Sequence, residues 1–79
     1  MLENWVDDAF TYLRDTYEEN GIPHVSHGRY HVTVDDTVDI TKRSVKGCTV
    51  IDFSGGPFSA YAHNLDEAIS FIDEVMETL

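Results

Sequence analysis

The sequence contains few basic residues, and this shortage is its most informative feature. Its 79 residues include five Lys and Arg against 15 Asp and Glu, which gives a formal net charge of −10 at pH 7. A field of this sign repels phosphate groups, so direct binding to DNA, RNA or an anionic membrane is disfavoured. The composition favours a basic protein as partner.

Cysteine is nearly absent, since Cys48 is the single cysteine of the chain. One cysteine excludes an intramolecular disulfide and is typical of a reducing compartment. The opening residues, MLENWVDDAF, have neither a basic n-region nor a long apolar run. We therefore expect no secretion signal and no membrane span, and the expected location is the cytoplasm.

Catalytic signatures are also lacking. The Gly55-Gly56-Pro57 stretch is a turn by composition and does not match a phosphate-binding loop. Cys48 would need a neighbouring base and an electropositive setting to act as a nucleophile, and the acidic chain provides the opposite setting. A chain this short also leaves little room for a deep pocket. We expect no enzymatic activity and no cofactor.

Four histidines raise the question of a metal site. Three of them form an H-x2-H-x3-H spacing that matches no strong zinc template. We interpret the histidines as surface groups that titrate near neutrality and assign no metal ligand. The sequence alone leaves open a metal on the residues His24, His27, His31, Cys48 and His63.

The apolar residues predict one domain over residues 1–79 with a helix at each end. Hydrophobic residues make up 42% of the chain, and their spacing over residues 2–19 predicts an amphipathic helix that stops at Asn20-Gly21. A second stripe over residues 65–79 predicts a closing helix, with Asn64 as N-cap and Glu67 completing a capping box.

Between the helices the apolar period changes to two, which is typical of strands. The alternation from Tyr30 to Ile40 predicts either one bent strand, which its unbroken parity favours, or a hairpin turned by Asp35-Asp36. Further strands are expected over 48–53 and 58–63, with a connection over 42–47. The prediction is a two-layer α+β domain of order αβββα, in which two helices cover one face of a three-stranded antiparallel sheet. The other face is expected to carry Arg29, His31, Thr33, Cys48, Val50, Asp52, Tyr61 and His63.

Both predicted helices carry acids almost alone, because the first contains Arg14 as its single base and the second contains none. Like-charge pairs four residues apart are Glu3/Asp7, Asp15/Glu19 and Asp73/Glu77. Each such pair costs roughly 0.2–0.5 kcal/mol, and acids in the last helical turn also oppose the helix dipole. A requirement other than folding is therefore indicated.

Three hypotheses explain this acidity. The acids can be a solvated surface, an adaptation to high salt suggested by nine Asp against two Lys, or a recognition surface for a basic groove. For recognition, the predicted partner-binding residues are Asp7, Asp8, Asp15, Glu18, Glu19, Asp66, Asp73, Glu74 and Glu77, with Asp35, Asp36 and Asp39 as second choices. Tyr12 and Phe71 fall off the main apolar stripes, so they are expected either to anchor a partner or to pack over the sheet edge.

The run of a helix, the strands GRYHVTV, GCTVIDF and PFSAYAH, and the acidic helix NLDEAISFIDEVMETL resembles small acidic phage-encoded anti-defence proteins. These include anti-CRISPR inhibitors and other DNA mimics. The resemblance is one of size, charge and element order, and it implies stoichiometric binding to a nuclease or effector complex, which occludes its nucleic-acid channel. We expect a monomer or homodimer.

Two other resemblances concern parts of this pattern. The segment FSAYAHNLDEAISFID is similar to small antitoxin and regulatory domains, which implies a toxin as an alternative basic partner. The order αβββα resembles double-stranded-RNA-binding domains. Asp66-Glu67 stands where such a domain needs cations, so RNA binding is disfavoured.

Overall fold

The computed structural model describes residues 5–79 of the chain. They form, in order, α1 (Trp5–Glu19), β1 (His24–Gly28), β2 (His31–Val34), β3 (Val38–Val45), β4 (Cys48–Gly55), β5 (Phe58–Ala62) and α2 (Leu65–Thr78). Leu2 and Glu3, which the sequence pattern assigns to the first helix, lie outside the described residues. Neither of the two described helices is long and apolar enough to cross a membrane.

The sheet is an antiparallel meander in which each strand pairs with the next one along the chain, in the order β1-β2-β3-β4-β5. The predicted α+β class is confirmed. The predicted three-stranded sheet and the order αβββα are wrong, because the sheet has five strands and the order is αβββββα.

Both helices contribute to one core together with one face of the sheet. The buried cluster consists of Val6, Ala9, Phe10, Leu13 and Tyr17 of α1, Ala68, Ile72 and Val75 of α2, and Val32, Val34, Val38, Ile40, Ile51, Phe53 and Ala62 of the strands. The Tyr17 hydroxyl joins the two helices by donating to the Ile72 carbonyl at 2.8 Å. The strand residues of this cluster share one face of the sheet by their register, and neither described helix packs on the opposite face, where Val50 is nevertheless buried.

Of the two alternatives for the segment from Tyr30 to Ile40, the favoured single bent strand is wrong, and the hairpin turned by Asp35-Asp36 is the one observed, as β2–β3. Asp35 and Asp36 both have positive φ, 52° and 55°, and the Thr37 N–H donates to the Val34 carbonyl at 3.0 Å. This is the tight primed turn that suits the twist of paired strands. Val34 pairs with Val38, so even-numbered residues stay on one face through the turn. Unbroken parity therefore could not distinguish a hairpin from one bent strand.

The β1 strand lies where the sequence indicated only a loop. Its residues are exposed apart from half-buried His24, so it shows no apolar alternation. Its register with β2 shifts between Ser26 and Gly28. An edge strand that buries little apolar surface gives no periodic signal, which explains the missing prediction.

The β3–β4 connection is shorter than the expected segment 42–47. β3 continues to Val45, which pairs with Cys48, and only Lys46 and Gly47 form the turn. Both turn residues have positive φ, 53° and 79°. Lys42 and Arg43 are consequently strand residues.

The open face matches most of the prediction. The strand register aligns His31, Thr41, Asp52 and Tyr61 in one row across β2 to β5. Arg29 and His63 are the exceptions. Arg29 lies in the β1–β2 turn and its guanidinium contacts Asp7 of α1, and His63 follows the end of β5 and contacts Glu67 of α2.

Candidate protein-binding surface

Acidic side chains occupy the outward positions of both helices. Eight of them are exposed, and we call this set the acidic helix face: Asp8, Asp15, Glu18, Glu19, Asp66, Glu67, Glu74 and Glu77. The periodicity of an amphipathic helix produces this arrangement, since the apolar stripe of each helix is buried in the common core. The helices also contact each other, so their acids form part of one layer.

The basic side chains lie away from this face. Arg14 leaves α1 toward the sheet, where its guanidinium donates to the carbonyl oxygens of Gly28 at 2.8 Å and Arg29 at 3.0 Å. The Lys42 ammonium lies 4.4 Å from the centre of the Tyr30 ring. Lys46 is in the β3–β4 turn.

Ion pairs therefore leave most of the acidic helix face without a cation. Within residues 5–79, Asp7 is the one helix acid that pairs with a Lys or Arg, at 3.5 Å from Arg29. Glu67 pairs with His63 at 3.2 Å, and Asp52 on the sheet pairs with Arg43. The helices carry unbalanced negative charge, and this charge raises the free energy of the folded state.

Two of the predicted partner-binding acids on the helices already have contacts within the fold. Asp7 accepts a hydrogen bond from the Tyr30 hydroxyl at 2.7 Å, and Asp73 accepts one from the Tyr12 hydroxyl at 3.0 Å. Each bond favours the protonated phenol, so the pKa of Tyr30 and of Tyr12 is raised above its usual value. Because both acids are half-buried, they contribute less than the exposed acids to a recognition surface.

Asp39 lies on the open sheet face, away from the helices. Its Oδ1 accepts from the Thr33 hydroxyl at 2.7 Å and lies 3.1 Å from His31 Nε2, and these contacts lower the pKa of the Asp39 carboxyl. Since the Thr33 O–H is used in that bond, His27 Nε2 donates to the Thr33 oxygen at 2.8 Å. Asp39 is thus held by contacts with neighbouring side chains of the sheet.

The twelve predicted partner-binding residues do not form one surface. The helix acids share one layer, whereas Asp35 and Asp36 are exposed in the β2–β3 turn and Asp39 lies on the opposite sheet face. The sequence pattern identified the helix acids, and only the fold separates them from the other three.

The two aromatic residues considered as partner anchors pack against the core. Tyr12 is half-buried and bonded to Asp73. Phe71 is half-buried, and its ring centre lies 5.4 Å from that of Phe53. Packing within the fold is therefore the role that the structure gives them.

The candidate metal ligands are dispersed. His24 Nδ1 lies 2.8 Å from the Ile22 carbonyl, Cys48 is exposed at the start of β4, and His63 contacts Glu67. The rings of His27 and His31 are 4.6 Å apart between centres. In the described part of the chain, no group of three or more His, Cys, Asp or Glu side chains is placed to hold a metal ion.

One feature that the sequence analysis missed is a shallow depression beside β5. It has a volume of about 240 Å³ and is lined by Asp52, Ser54, Ser59, Ala60 and Tyr61. Tyr61 is 44% exposed there. The sequence feature that could have indicated this depression is the segment FSAYA, which contains no charged residue in a chain that is otherwise rich in acids.

Comparison with known proteins gives no match. No family model, no curated protein and no solved structure matches the chain.

Proposed function

We propose that the protein is a non-enzymatic binding protein whose acidic helix face occupies a basic nucleic-acid-binding surface on another protein. The observation that carries this proposal is the absence of Lys and Arg partners for the exposed helix acids within residues 5–79. Carboxylates fixed on packed helices present negative charge without the flexibility of a disordered acidic tail, which lowers the entropic cost of binding. A nuclease or effector complex is the expected partner, in line with anti-CRISPR inhibitors and other DNA mimics.

Charge complementarity gives this binding a specific physical signature. Association with a basic groove is accelerated by long-range attraction and weakens as salt screens the charges. Nucleic acid competes for the same groove. A basic nuclease toxin would also present a basic groove to the acidic helix face, so the experiment below tests an antitoxin-like role as well.

The experiment compares three variants that remove the same amount of charge from different places. Asp15→Asn/Glu18→Gln changes α1, Glu74→Gln/Glu77→Gln changes α2, and Asp35→Asn/Asp36→Asn changes the β2–β3 turn as the matched control. The tagged proteins capture partners from nuclease-treated host lysate, and bound protein is then challenged with duplex DNA.

The proposal requires a captured protein that duplex DNA displaces and that at least one helix variant loses. The turn variant should retain it, because its net charge equals that of the helix variants while the helices are unchanged. Equal capture by all three variants, or capture that DNA does not displace, would reject nucleic-acid mimicry by the helices.

A further inference from the structure

The two edges of the sheet differ in their protection against pairing with another strand. On β1, the register shifts between Ser26 and Gly28, and the Arg14 guanidinium bonds the Gly28 carbonyl and the Ser26 hydroxyl. A bulge and a charged side chain of this kind prevent strand addition at an exposed edge. The β1 edge is blocked.

The β5 edge lacks these protections. Its pairing with β4 runs without a shift from Phe58 opposite Gly55 to Ala62 opposite Ile51. Within residues 5–79 the strand has β4 as its one neighbour in the sheet, and it contains neither proline nor a charged residue. Ser59 and Tyr61 are exposed on it. A regular, uncharged edge with unpaired backbone groups is a template for another strand.

Acidic side chains of α2 lie on the β5 side of the helix layer. Asp73 marks the side of α2 that faces α1, because it bonds Tyr12. At 100° per residue, Glu67 and Glu74 project from the other side of α2, away from α1. They are both exposed and are two helical turns apart, about 10 Å along the axis. α2 packs over β4 and β5 through contacts such as Phe71 on Phe53, and Glu67 Oε1 accepts the N–H of His63, which follows β5, so this side of α2 faces the free edge. The second carboxylate oxygen of Glu67 and the exposed Glu74 carboxylate are the groups that this side offers to a cation.

The opposite face of the same edge offers a different environment. The depression of about 240 Å³ next to Tyr61 is lined by side chains and backbone of β4 and β5. Successive side chains of an added strand would point alternately toward this depression and toward the helix layer. An incoming segment would thus meet the carboxylates of α2 on one side, and on the other the Tyr61 ring, two serines and the Asp52 carboxylate, which is already paired with Arg43.

We propose that β5 accepts an extended basic segment of the partner protein, which adds as a sixth strand and directs alternate Lys or Arg side chains toward Glu67 and Glu74. The inference rests on the proposed function and specifies its docking mode. Charge complementarity selects this occupant. A second copy of the chain pairing through β5 would instead bring two acidic α2 helices side by side.

The test uses a short capped peptide of alternating Lys and Val as the probe, with a Glu-Val peptide of equal length as its counterpart. Binding is measured by titration, and amide hydrogen exchange shows which strand becomes protected. Tyr61→Lys places a repelling charge on β5. Val25→Lys is the matched control, because Val25 is 56% exposed and lies on the β1 edge strand.

We expect the Lys-Val peptide to slow exchange at alternate amides of β5, and Tyr61→Lys to weaken its binding by about tenfold while Val25→Lys changes it less than about twofold. Ser59→Lys repeats the test should Tyr61→Lys unfold. Peptide binding that leaves the β5 amides unprotected overturns strand addition. If Glu18→Gln weakens that binding, the proposal that the acidic helix face binds a basic partner still stands. Equal binding of the Glu-Val peptide, or a symmetric dimer formed through β5, overturns the basic occupant.

Discussion

At the scale of single residues, Gly55 is the glycine with the least room for a side chain. Its φ is +130°, and a Cβ placed there would lie 2.0 Å from the backbone carbonyl oxygen of Thr37. The end of β4 therefore passes against the β2–β3 turn at a distance that only glycine allows. This contact joins the β2–β3 turn to the end of β4.

We predict that Gly55→Ala lowers the free energy of unfolding by about 2 kcal/mol or more, because both the backbone angle and the contact become strained. Gly28→Ala is the control, since nothing lies within 4 Å of a Cβ there. It should change stability by less than about 0.5 kcal/mol. Urea unfolding of both variants measures the difference, and similar midpoints would contradict the close approach at Thr37.

At the scale of elements, the start of α2 shows how a local sequence motif becomes a pH-dependent contact. The Asn64 side chain accepts the Glu67 N–H at 2.9 Å, and Glu67 Oε1 accepts the His63 N–H at 2.8 Å. The predicted N-cap at Asn64 is confirmed, but the capping box is only half formed, because Glu67 reaches the N–H of His63, one residue before the N-cap, and not that of Asn64. The backbone hydrogen bond from His63 is the main reason that the pKa of the Glu67 carboxyl is lowered from 4.5.

We predict that Glu67→Gln destabilises the protein at pH 7 and that this loss disappears at low pH. A carboxyl whose pKa is lower in the folded state contributes stability above its unfolded value of 4.5, and this contribution is lost as pH falls below it. Asn64→Ala, by contrast, should cost about 1 kcal/mol at every pH. Urea midpoints from neutral to acidic pH check both variants, and a Glu67→Gln difference that does not change with pH would contradict the assignment.

The sequence predicted the elements that have strong periodicity and missed those that lack it. Both helices, β4 and β5 were predicted because their apolar residues must face one core. β1 was missed because it buries almost nothing, and the turn at Asp35-Asp36 was ambiguous because a hairpin and a single strand give the same parity. Local patterns report burial, whereas strand pairing depends on contacts between distant residues.

The acidic surface, like the strands and helices, was predictable only where a periodic sequence pattern determines it. Helical spacing alone places Asp15 and Glu18 at outward positions, and the structure has both exposed. Helical spacing could not indicate that the Asp73 carboxylate accepts a hydrogen bond from Tyr12, which lies far from it in sequence. Nor could it show that β5 is an edge strand, since strand order is a property of the whole sheet.

At the scale of the whole molecule, the fold separates charge. The exposed helix acids lie in one layer, while Arg43 contacts Asp52 of the sheet and Lys42 contacts Tyr30 of a turn. Arg29, which pairs with Asp7 of α1, is the exception. Such separation gives up intramolecular ion pairs and leaves the helix layer self-repelling. Salt or a cationic partner can relieve that repulsion, and the two effects are separable by experiment.

We predict that added salt raises the melting temperature of the free protein and that Glu74→Gln/Glu77→Gln reduces this response. Removing the Asp73/Glu77 repulsion and two carboxylates near the end of α2 should stabilise the protein by about 0.5 kcal/mol at low salt. That change corresponds to a few degrees for a domain of this size, roughly 2–4 °C. Asp35→Asn/Asp36→Asn removes equal charge from a turn that tolerates Asn and should have a smaller effect.

Thermal scans from low salt to about 1 M salt, where charges are screened beyond about 3 Å, distinguish the remaining hypotheses. If the protein folds at low salt and its melting temperature rises by only a few degrees, the repulsion among the acids is small enough for folding, and the partner-binding hypothesis is favoured. A protein that is unfolded at low salt and folded only near molar salt is adapted to salt itself. A flat melting temperature in the unsubstituted protein would show that the helix acids do not repel one another, and the physical reason for expecting a cationic partner would then be lost.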